Sequence, residues 1–366
     1  MKQLLDLDVS GKKVFLRVDL DVPIESTNDK RLTTNVRLQN IRPTVDYLFD
    51  HGAQKVVIAG HIGRPFVASA PPLVLTRGKQ GKPEGVDRKL STQQLAPVLG
   101  EILGRSVIFS DKLDVSAIEN LVLLENLRFW PGEEKNDPEF AKDLAALADI
   151  YVNDAFAVSH RAHASIVGVP ELLPHAAGLH LQEEVEELSR LLASPEKPYV
   201  AIIGGAKLET KVPVLGNLSK VADNVLVGGE IALEIGGKST VYSLQSTAVV
   251  GSQNAVDKIF VAAMTPDTKD IDQTSIDKFK EIIASSKTII WNGPMGLFEE
   301  GHDAGTKAIA EAIIASGAYS VVGGGETTEF LGSHGFLDKF SFVSTGGGAM
   351  LEFLSGKELP GIAALE

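Results

Sequence analysis

The chain has 366 residues, with 48 acidic against 35 basic side chains, no cysteine and a formal net charge of −13. The missing cysteines exclude disulfides, thiolate metal sites and a thiol nucleophile, and fit a reducing compartment. The acidity argues against nucleic-acid or membrane partners, so any positive charge that meets an anionic ligand must be local. Hydrophobic residues at 44% and charged residues at 23% are ordinary for a globular chain, and the length favours two domains. The opening MKQLLDLDVSGKK lacks the apolar centre of a signal peptide. No run approaches about 18 apolar residues, so the expectation is a cytoplasmic protein.

Residues 14–18 form a short β-rich run that ends in Asp19-Leu20-Asp21-Val22-Pro23, leaving two carboxylates at a strand tip. Residues 33–48 predict a helix, with Pro43 tolerated as a break or a new first turn. A second strand over 55–59 leads into Gly60-His61-Ile62-Gly63-Arg64-Pro65. Residues 66–90, rich in Pro, Gly and basic side chains, read as a mobile surface loop. A helix over 94–103 follows, with Leu95, Val98, Leu99, Ile102 and Leu103 on one face. Strands are expected at 107–109, 121–124 and 150–152, and a helix at 140–147. The later strands deliver Glu125-Asn126-Leu127-Arg128-Phe129 and Asn153-Asp154-Ala155-Phe156, with Ser159-His160-Arg161-Ala162-His163 close behind.

Strands alternating with helices predict an α/β fold with a parallel sheet, whose ligands sit at the carboxyl ends of the strands. Arg37, His61, Arg64, Arg128, Arg161 and His163 are candidates for one rim at those ends. Scattered surface ion pairs are the plainer alternative for any single arginine. Three of the groups follow directly on strand-like runs, which favours a rim for a small molecule bearing phosphate or carboxylate.

A charged amphipathic helix over 181–192 is broken by Ser194-Pro195-Glu196-Lys197-Pro198, which reads as a join between domains. The alternation then restarts. A strand over 199–203 runs into Gly204-Gly205-Ala206-Lys207-Leu208-Glu209-Thr210-Lys211. If a helix opens there, the two lysines share a face, and lysine suits a phosphate. The spacing is not that of a P-loop. Further strand ends lead into Gly228-Gly229, Asn292-Gly293-Pro294-Met295-Gly296, Gly323-Gly324-Gly325-Glu326-Thr327 and Thr345-Gly346-Gly347-Gly348. One such glycine run is a turn. Five at like positions suggest a rim stripped of side chains so that a phosphate chain can approach the backbone. Glu326, beside the loop that opens the fourth motif, is the candidate metal ligand.

In this order and over nearly the whole chain, the motifs resemble the phosphoglycerate kinase family. They include Arg17-Val18-Asp19, His61-Ile62-Gly63-Arg64-Pro65, Glu125-Asn126-Leu127-Arg128-Phe129, His160-Arg161-Ala162-His163, Gly204-Gly205-Ala206-Lys207, Trp291-Asn292-Gly293-Pro294-Met295-Gly296 and Ser344-Thr345-Gly346-Gly347-Gly348-Ala349. The resemblance implies two doubly wound, Rossmann-like parallel-sheet domains joined by a hinge helix. These would be an N-terminal phosphoglycerate-binding domain (1–180), the helix (181–194), a C-terminal nucleotide-binding domain (195–348) and a tail (349–366) returning towards the first domain. Leu351, Phe353 and Leu354 suit that return.

It further implies a monomeric glycolytic and gluconeogenic enzyme. Such an enzyme moves a phosphoryl group reversibly between 1,3-bisphosphoglycerate and ADP, yielding 3-phosphoglycerate and ATP, with Mg2+ on the nucleotide. Asp19, Arg37, His61, Arg64, Arg128 and Arg161 match substrate positions, with Asp21 at another. Gly205, Ala206, Lys207, Lys211, Gly228, Asn292, Glu299, Gly324, Gly325, Glu326 and Thr327 match nucleotide positions, and Glu326 the metal position. Arg37, Lys207, Lys211 and Gly347 match the groups that face the transferring phosphoryl. Hinge closure would exclude water from the acyl phosphate.

Three departures from the family pattern stand out. Asp21 replaces an asparagine, and Glu326 replaces an aspartate. The segment between Gly229 and Ile276 is short, with Glu230-Ile231 in place of Gly-Met and Asp272-Gln273 in place of Gly-Pro. They leave open a divergent paralogue that binds phosphorylated ligands or a partner with altered activity. A dehydrogenase-like reading is disfavoured because no strand-linked G-x-G-x-x-G with a downstream ribose acid is present.

Overall fold

A computed structural model describes residues 1–24, 32–33, 35–65, 87–118, 120–236 and 258–366. Residues 66–86 of the expected loop, residue 34 of the first expected helix and residues 237–257 of the short segment lie outside the described residues. The chain divides into two compact units, Met1–Glu184 with Leu359–Glu366, and Val185–Glu358. Among the described residues, no helix is long and apolar enough to cross a membrane.

Unit 1 is built on six parallel strands: β1 Lys13–Arg17, β2 Lys55–Ala59, β3 Ile108–Ser110, β4 Asn120–Leu124, β5 Ile150–Asn153 and β6 His175–Ala177, in the order β3-β4-β2-β1-β5-β6. A sheet covered on both faces calls for apolar runs without alternation. Accordingly β2 is buried along its whole length, as are four of the five positions of β1. The helix Ile41–Asp50 takes Pro43 in its first turn, where the missing N–H costs nothing. The chain runs from β1 outwards through β2 to β3 and β4, then returns on the other side of β1 as β5. The reversal places a switch point at the carboxyl ends of β1 and β5.

Unit 2 repeats the plan with β7 Tyr199–Ile203, β8 Asn224–Val227, β9 Ile259–Val261, β10 Thr288–Asn292, β11 Tyr319–Gly323 and β12 Phe342–Val343, in the order β12-β11-β10-β7-β8-β9. All pairings are parallel, and the switch point lies between β7 and β10. Trp291 of β10 is fully buried and tilted against Phe340. Asp272, where the family has glycine, caps the helix Gln273–Ala284 by accepting from Ser275 N at 2.8 Å. Such a cap is worth about 1 kcal/mol, which gives this departure a local structural reason.

The division between units falls inside the helix Leu179–Ala193, which overlaps the expected joining helix 181–194. One expectation about boundaries changes. The helix Gly348–Leu354, expected in the returning tail, belongs to unit 2: Met350 fills the space beside Gly323, and Asn217 Nδ2 donates to Leu354 O at 2.7 Å. Only from Leu359 is the chain part of unit 1, where Gly361 N donates to Ser159 O and Lys2 N to Leu365 O. The strands β6 and β9 are additional to those expected from the sequence pattern.

Candidate active site

In unit 1 the carboxyl ends of β1, β2, β4 and β5 carry six of the seven candidate substrate residues. The seventh, Arg37, comes from the short helix Val36–Gln39, whose cap Asn35 accepts from Arg37 N. Arg37 Nη1 lies 3.2 Å from Asp19 Oδ2 and donates to Asp21 O at 2.8 Å. Asp19 is buried; loss of solvent raises its carboxyl pKa, and the Arg37 guanidinium opposes that rise. Asp21 Oδ1 accepts from Gly63 N at 2.8 Å, and its Oδ2 stands 3.8 Å from His61 Nε2. The aspartate found in place of asparagine is thus held by a backbone amide, with its main-chain oxygen, not its carboxylate, on the arginine.

Gly63 links this group to a second one. Its carbonyl accepts from Arg128 Nη1 at 2.7 Å. Gly63 has φ +60°, and a Cβ there would sit 2.8 Å from Leu90 Cδ2, so glycine is favoured by its backbone and by the leucine beside it. Arg128 is buried, with Nε 3.1 Å from Glu134 Oε1 in an ion pair not aligned as a hydrogen bond. Burial lowers the Arg128 pKa, against the pull of Glu134 and Asp21. Arg64, Arg128 and Arg161, with Glu134 and His163, line a cavity of about 290 Å³. Three guanidiniums on one small polar cavity make it an anion site. Burial first, then Arg17, brings the His163 pKa down to about 3, so His163 faces the cavity neutral.

Beneath the rim lies a layer that the motifs alone do not separate out. Arg17, fully buried, donates from Nε to Ser165 Oγ at 2.9 Å, to Val18 O, and from Nη2 to His61 Nδ1 at 3.1 Å. Ser165 in turn donates through N and Oγ to Glu133. His61 is 2% exposed; burial and Arg17 hold its pKa well below the usual imidazole range.

In unit 2 a cavity of about 190 Å³ lies at the switch point, lined by candidates Gly205, Ala206, Glu299 and Glu326. Thr268, Lys269 and Met264 also line it, and no motif points to them; Glu230, the departure from the family's glycine, lines it too. Thr268 sits at φ +60° after β9, a strained position for a β-branched residue that no sequence signal marks.

The glycine runs do two jobs. Gly204, Gly293 and Gly323 are buried, and a Cβ on Gly293 would lie 2.1 Å from Gly204 O. Gly204 and Gly293 let neighbouring strand ends pack backbone to backbone, whereas Gly323 makes room for the Met350 side chain. Gly228, also buried, would meet Met295 Sδ at 2.5 Å. Gly205, Gly324, Gly325, Gly347 and Gly348 are the ones that open to solvent, Gly324 at φ +102° as the cap of the helix Gly325–Ser333. Thr327 is fully buried and accepts from Gly293 N at 2.9 Å, tying β11 to β10.

The helix after β7 begins at Leu208, one residue later than a shared face for the lysines requires. Lys207 is its exposed cap, in the left-handed region (φ +67°, ψ +67°). Lys211 is buried and donates to Asn292 Oδ1. Burial brings the Lys211 pKa down to about 8, with Glu326 pulling the other way. Asn292 Nδ2 faces Met350 Sδ at 3.7 Å, and the Cβ position of Gly324 is 3.1 Å from the same nitrogen. Gly347, φ +44°, caps the helix Gly348–Leu354. Glu299 lies in a single 3-10 turn and is exposed.

Among the described residues no cluster of three or more His, Cys, Asp or Glu could cage a metal. Three exposed glutamates, Glu230, Glu299 and Glu326, line the cavity of unit 2 without clustering, and Glu326 is the one beside the Gly324-Gly325 loop. That donor set fits Mg2+, which binds through one or two carboxylates together with ligand phosphates rather than in an all-protein cage.

Two parallel doubly wound sheets, one with an arginine-walled cavity and one with a glycine-edged cavity at its switch point, define an α/β phosphotransferase of two domains. Similarity to known proteins narrows this class. The family model for phosphoglycerate kinase matches residues 4–241 and 243–357. The chain is similar to the structure of phosphoglycerate kinase from Coxiella burnetii, at 33% identity and TM-score 0.79, covering 99% of this chain and 98% of that one. It is similar also to phosphoglycerate kinase from Pyrococcus horikoshii OT3, at 30% identity and TM-score 0.78, covering 100% and 98%. The chain belongs to the phosphoglycerate kinase family, and its activity is the phosphoryl transfer of glycolysis.

Proposed function

We propose that the cavity of unit 1 takes 3-phosphoglycerate or 1,3-bisphosphoglycerate and that of unit 2 takes ADP or ATP with Mg2+. The observation that carries the division is the contrast in lining: three arginines in one cavity, and glycine backbone with a single lysine and three glutamates in the other.

In the direction of ATP synthesis, a β-phosphate oxygen of ADP forms a bond to the acyl phosphorus as the bond to the carboxylate oxygen breaks. The leaving group is already a stable carboxylate, so no general base is needed and the protein supplies position and charge. Arg64, Arg128 and Arg161 hold the non-transferred phosphate of the phosphoglycerate ligand. His61, Asp19 and Asp21 fix the remainder, and Arg37 faces the developing charge. In unit 2, Lys211 and Lys207 meet the nucleotide phosphates, helped by the open backbone of Gly205, Ala206, Gly324 and Gly325. Asn292 and Thr327 hold those loops in place, with Gly228 packed beside them, and Glu299 receives the ribose. When bound, Mg2+ neutralises nucleotide phosphate charge, and Glu326 is the residue that would hold it. Gly347 offers a backbone amide to the group in transit.

The test is acyl phosphate formation from ATP, magnesium and 3-phosphoglycerate, trapped with hydroxylamine. A folded protein that forms none at millimolar substrates overturns the assignment.

A further inference from the structure

We propose that Arg17 is a positioning residue that holds His61 as the neutral tautomer protonated on Nε2, so that His61 offers the phosphoglycerate a hydrogen-bond donor and not a positive charge. This rests on the placement of phosphoglycerate in unit 1.

The argument is one of donors and acceptors. A guanidinium carries five N–H donors and no acceptor. Arg17 Nη2 is 3.1 Å from His61 Nδ1, so Nδ1 must present its lone pair and the ring proton must sit on Nε2. The guanidinium cannot turn away. Its Nε is committed to Ser165 Oγ and its Nη1 to Val18 O, on a side chain with no exposure. Ser165 is anchored through both its amide and its hydroxyl on Glu133, which is 1% exposed. Glu133 therefore balances the buried arginine across one serine, and the three fix the plane in which the imidazole is met.

The charges around His61 enforce the same state. Arg17, Arg128 and Arg37 bring positive charge near it, and each disfavours an imidazolium. Asp21 carries the opposite charge, but its carboxylate stands 3.8 Å from Nε2, beyond hydrogen-bond reach. Nε2 is not among the polar atoms sealed from solvent without a partner. The edge that carries the proton is thus the edge that faces the site, beside Asp21 and Gly63. A neutral donor keeps the same hydrogen bond across the physiological pH range, where a free histidine would switch.

The experiment is a long-range proton–nitrogen correlation spectrum of the ligand-free full chain labelled with 15N-histidine, with the His61 signals identified by their loss in His61→Gln. The expected result is an Nε2–H pattern that does not shift between about pH 5.5 and 8.5. An Nδ1–H pattern, or a titration midpoint inside that range, overturns the proposal without recourse to any Arg17 variant. In Arg17→Met, His61 is expected to populate both tautomers, and the KM for 3-phosphoglycerate to rise about tenfold, the size of one hydrogen bond to a charged group, with the nucleotide KM unmoved. Arg17→Lys, which retains a donor, is expected to restore the Nε2–H pattern. A folded Arg17→Met protein with unchanged His61 signals reduces Arg17 to a structural tie and overturns the proposal. Because the spectra require no turnover, a failed acyl phosphate assay would sink the placement of substrate and leave the tautomer result standing.

Discussion

Lys211 and Asn292 are bonded to each other inside unit 2, the ammonium donating to the amide oxygen from 81 positions away in sequence. The pair joins the helix after β7 to the end of β10, at the switch point where doubly wound sheets bind ligands. Lys211→Ala removes a buried cation from that place. The nucleotide KM is expected to rise about 10- to 100-fold, as for a lost charged hydrogen bond, with little change for phosphoglycerate. Equal effects on both substrates would count against the assignment of unit 2 to the nucleotide.

The same lysine carries a pH signature. Its pKa is brought down to about 8, mainly by burial. ADP affinity should therefore weaken as pH rises past about 8, and Lys211→Ala should abolish that dependence, as titration calorimetry across pH would show. The effect on stability has the opposite sign. Between about 8 and the unfolded value near 10.4, the unfolded chain binds more protons than the folded one. The residue's cost is full below that window and is relieved as pH climbs through it.

Arg128→Ala should raise the KM for 3-phosphoglycerate by about 10- to 100-fold, with the nucleotide KM unchanged. Arg128→Lys should not restore it, because the guanidinium divides its nitrogens between Gly63 O and Glu134 while facing the cavity. Full rescue by lysine in steady-state kinetics would show that charge alone suffices there.

Glu326 is the test of the metal. In Glu326→Ala the magnesium concentration for half-maximal activity should rise about tenfold, the scale of one lost charged contact. Glu326→Asp should lie between that variant and the unaltered chain. Magnesium curves that coincide for all three would remove this carboxylate from the metal's shell.

A stability prediction comes from Gly178, where a Cβ would stand 2.3 Å from Asp154 Oδ1. Asp154 is buried and its Oδ1 accepts from Leu181 N at 3.0 Å, so neither partner can yield. Gly178→Ala should destabilise unit 1 by about 1–3 kcal/mol, seen as faster hydrogen exchange in β1 and β5. Burial raises the Asp154 pKa to about 6. The folded state holds the extra proton between about 4 and 6, so this residue's contribution to stability falls as pH rises through that window. Asp154→Asn should flatten that slope.

The parallel sheets and strand-end motifs are legible in the sequence because each leaves a local trace: an apolar run, then glycine or charge at its end. β2 into His61 and β7 into Gly204 are examples. Three kinds of feature leave no such trace. The strand β6, His-Ala-Ala, has no β-branched or aromatic side chain to mark it. Arg17 looks like the polar end of a strand until folding brings Ser165 and Glu133 to it across more than 100 residues. The glycines of unit 2 all read alike in sequence, yet Gly293 is required by a neighbouring backbone and Gly325 by nothing within 4 Å. That distinction is purely tertiary.

Asn292 touches three separate elements at once: Lys211 through its oxygen, Met350 through its nitrogen, and the Gly324 loop by direct packing. Met350 in turn occupies the hollow left by Gly323, one residue before that loop. The lysine helix, the loop after β11 and the helix opened by Gly347 are therefore geared through a single amide. A load placed on any one of them is shared by the other two, and trimming Asn292 would unmesh all three without removing a single charge.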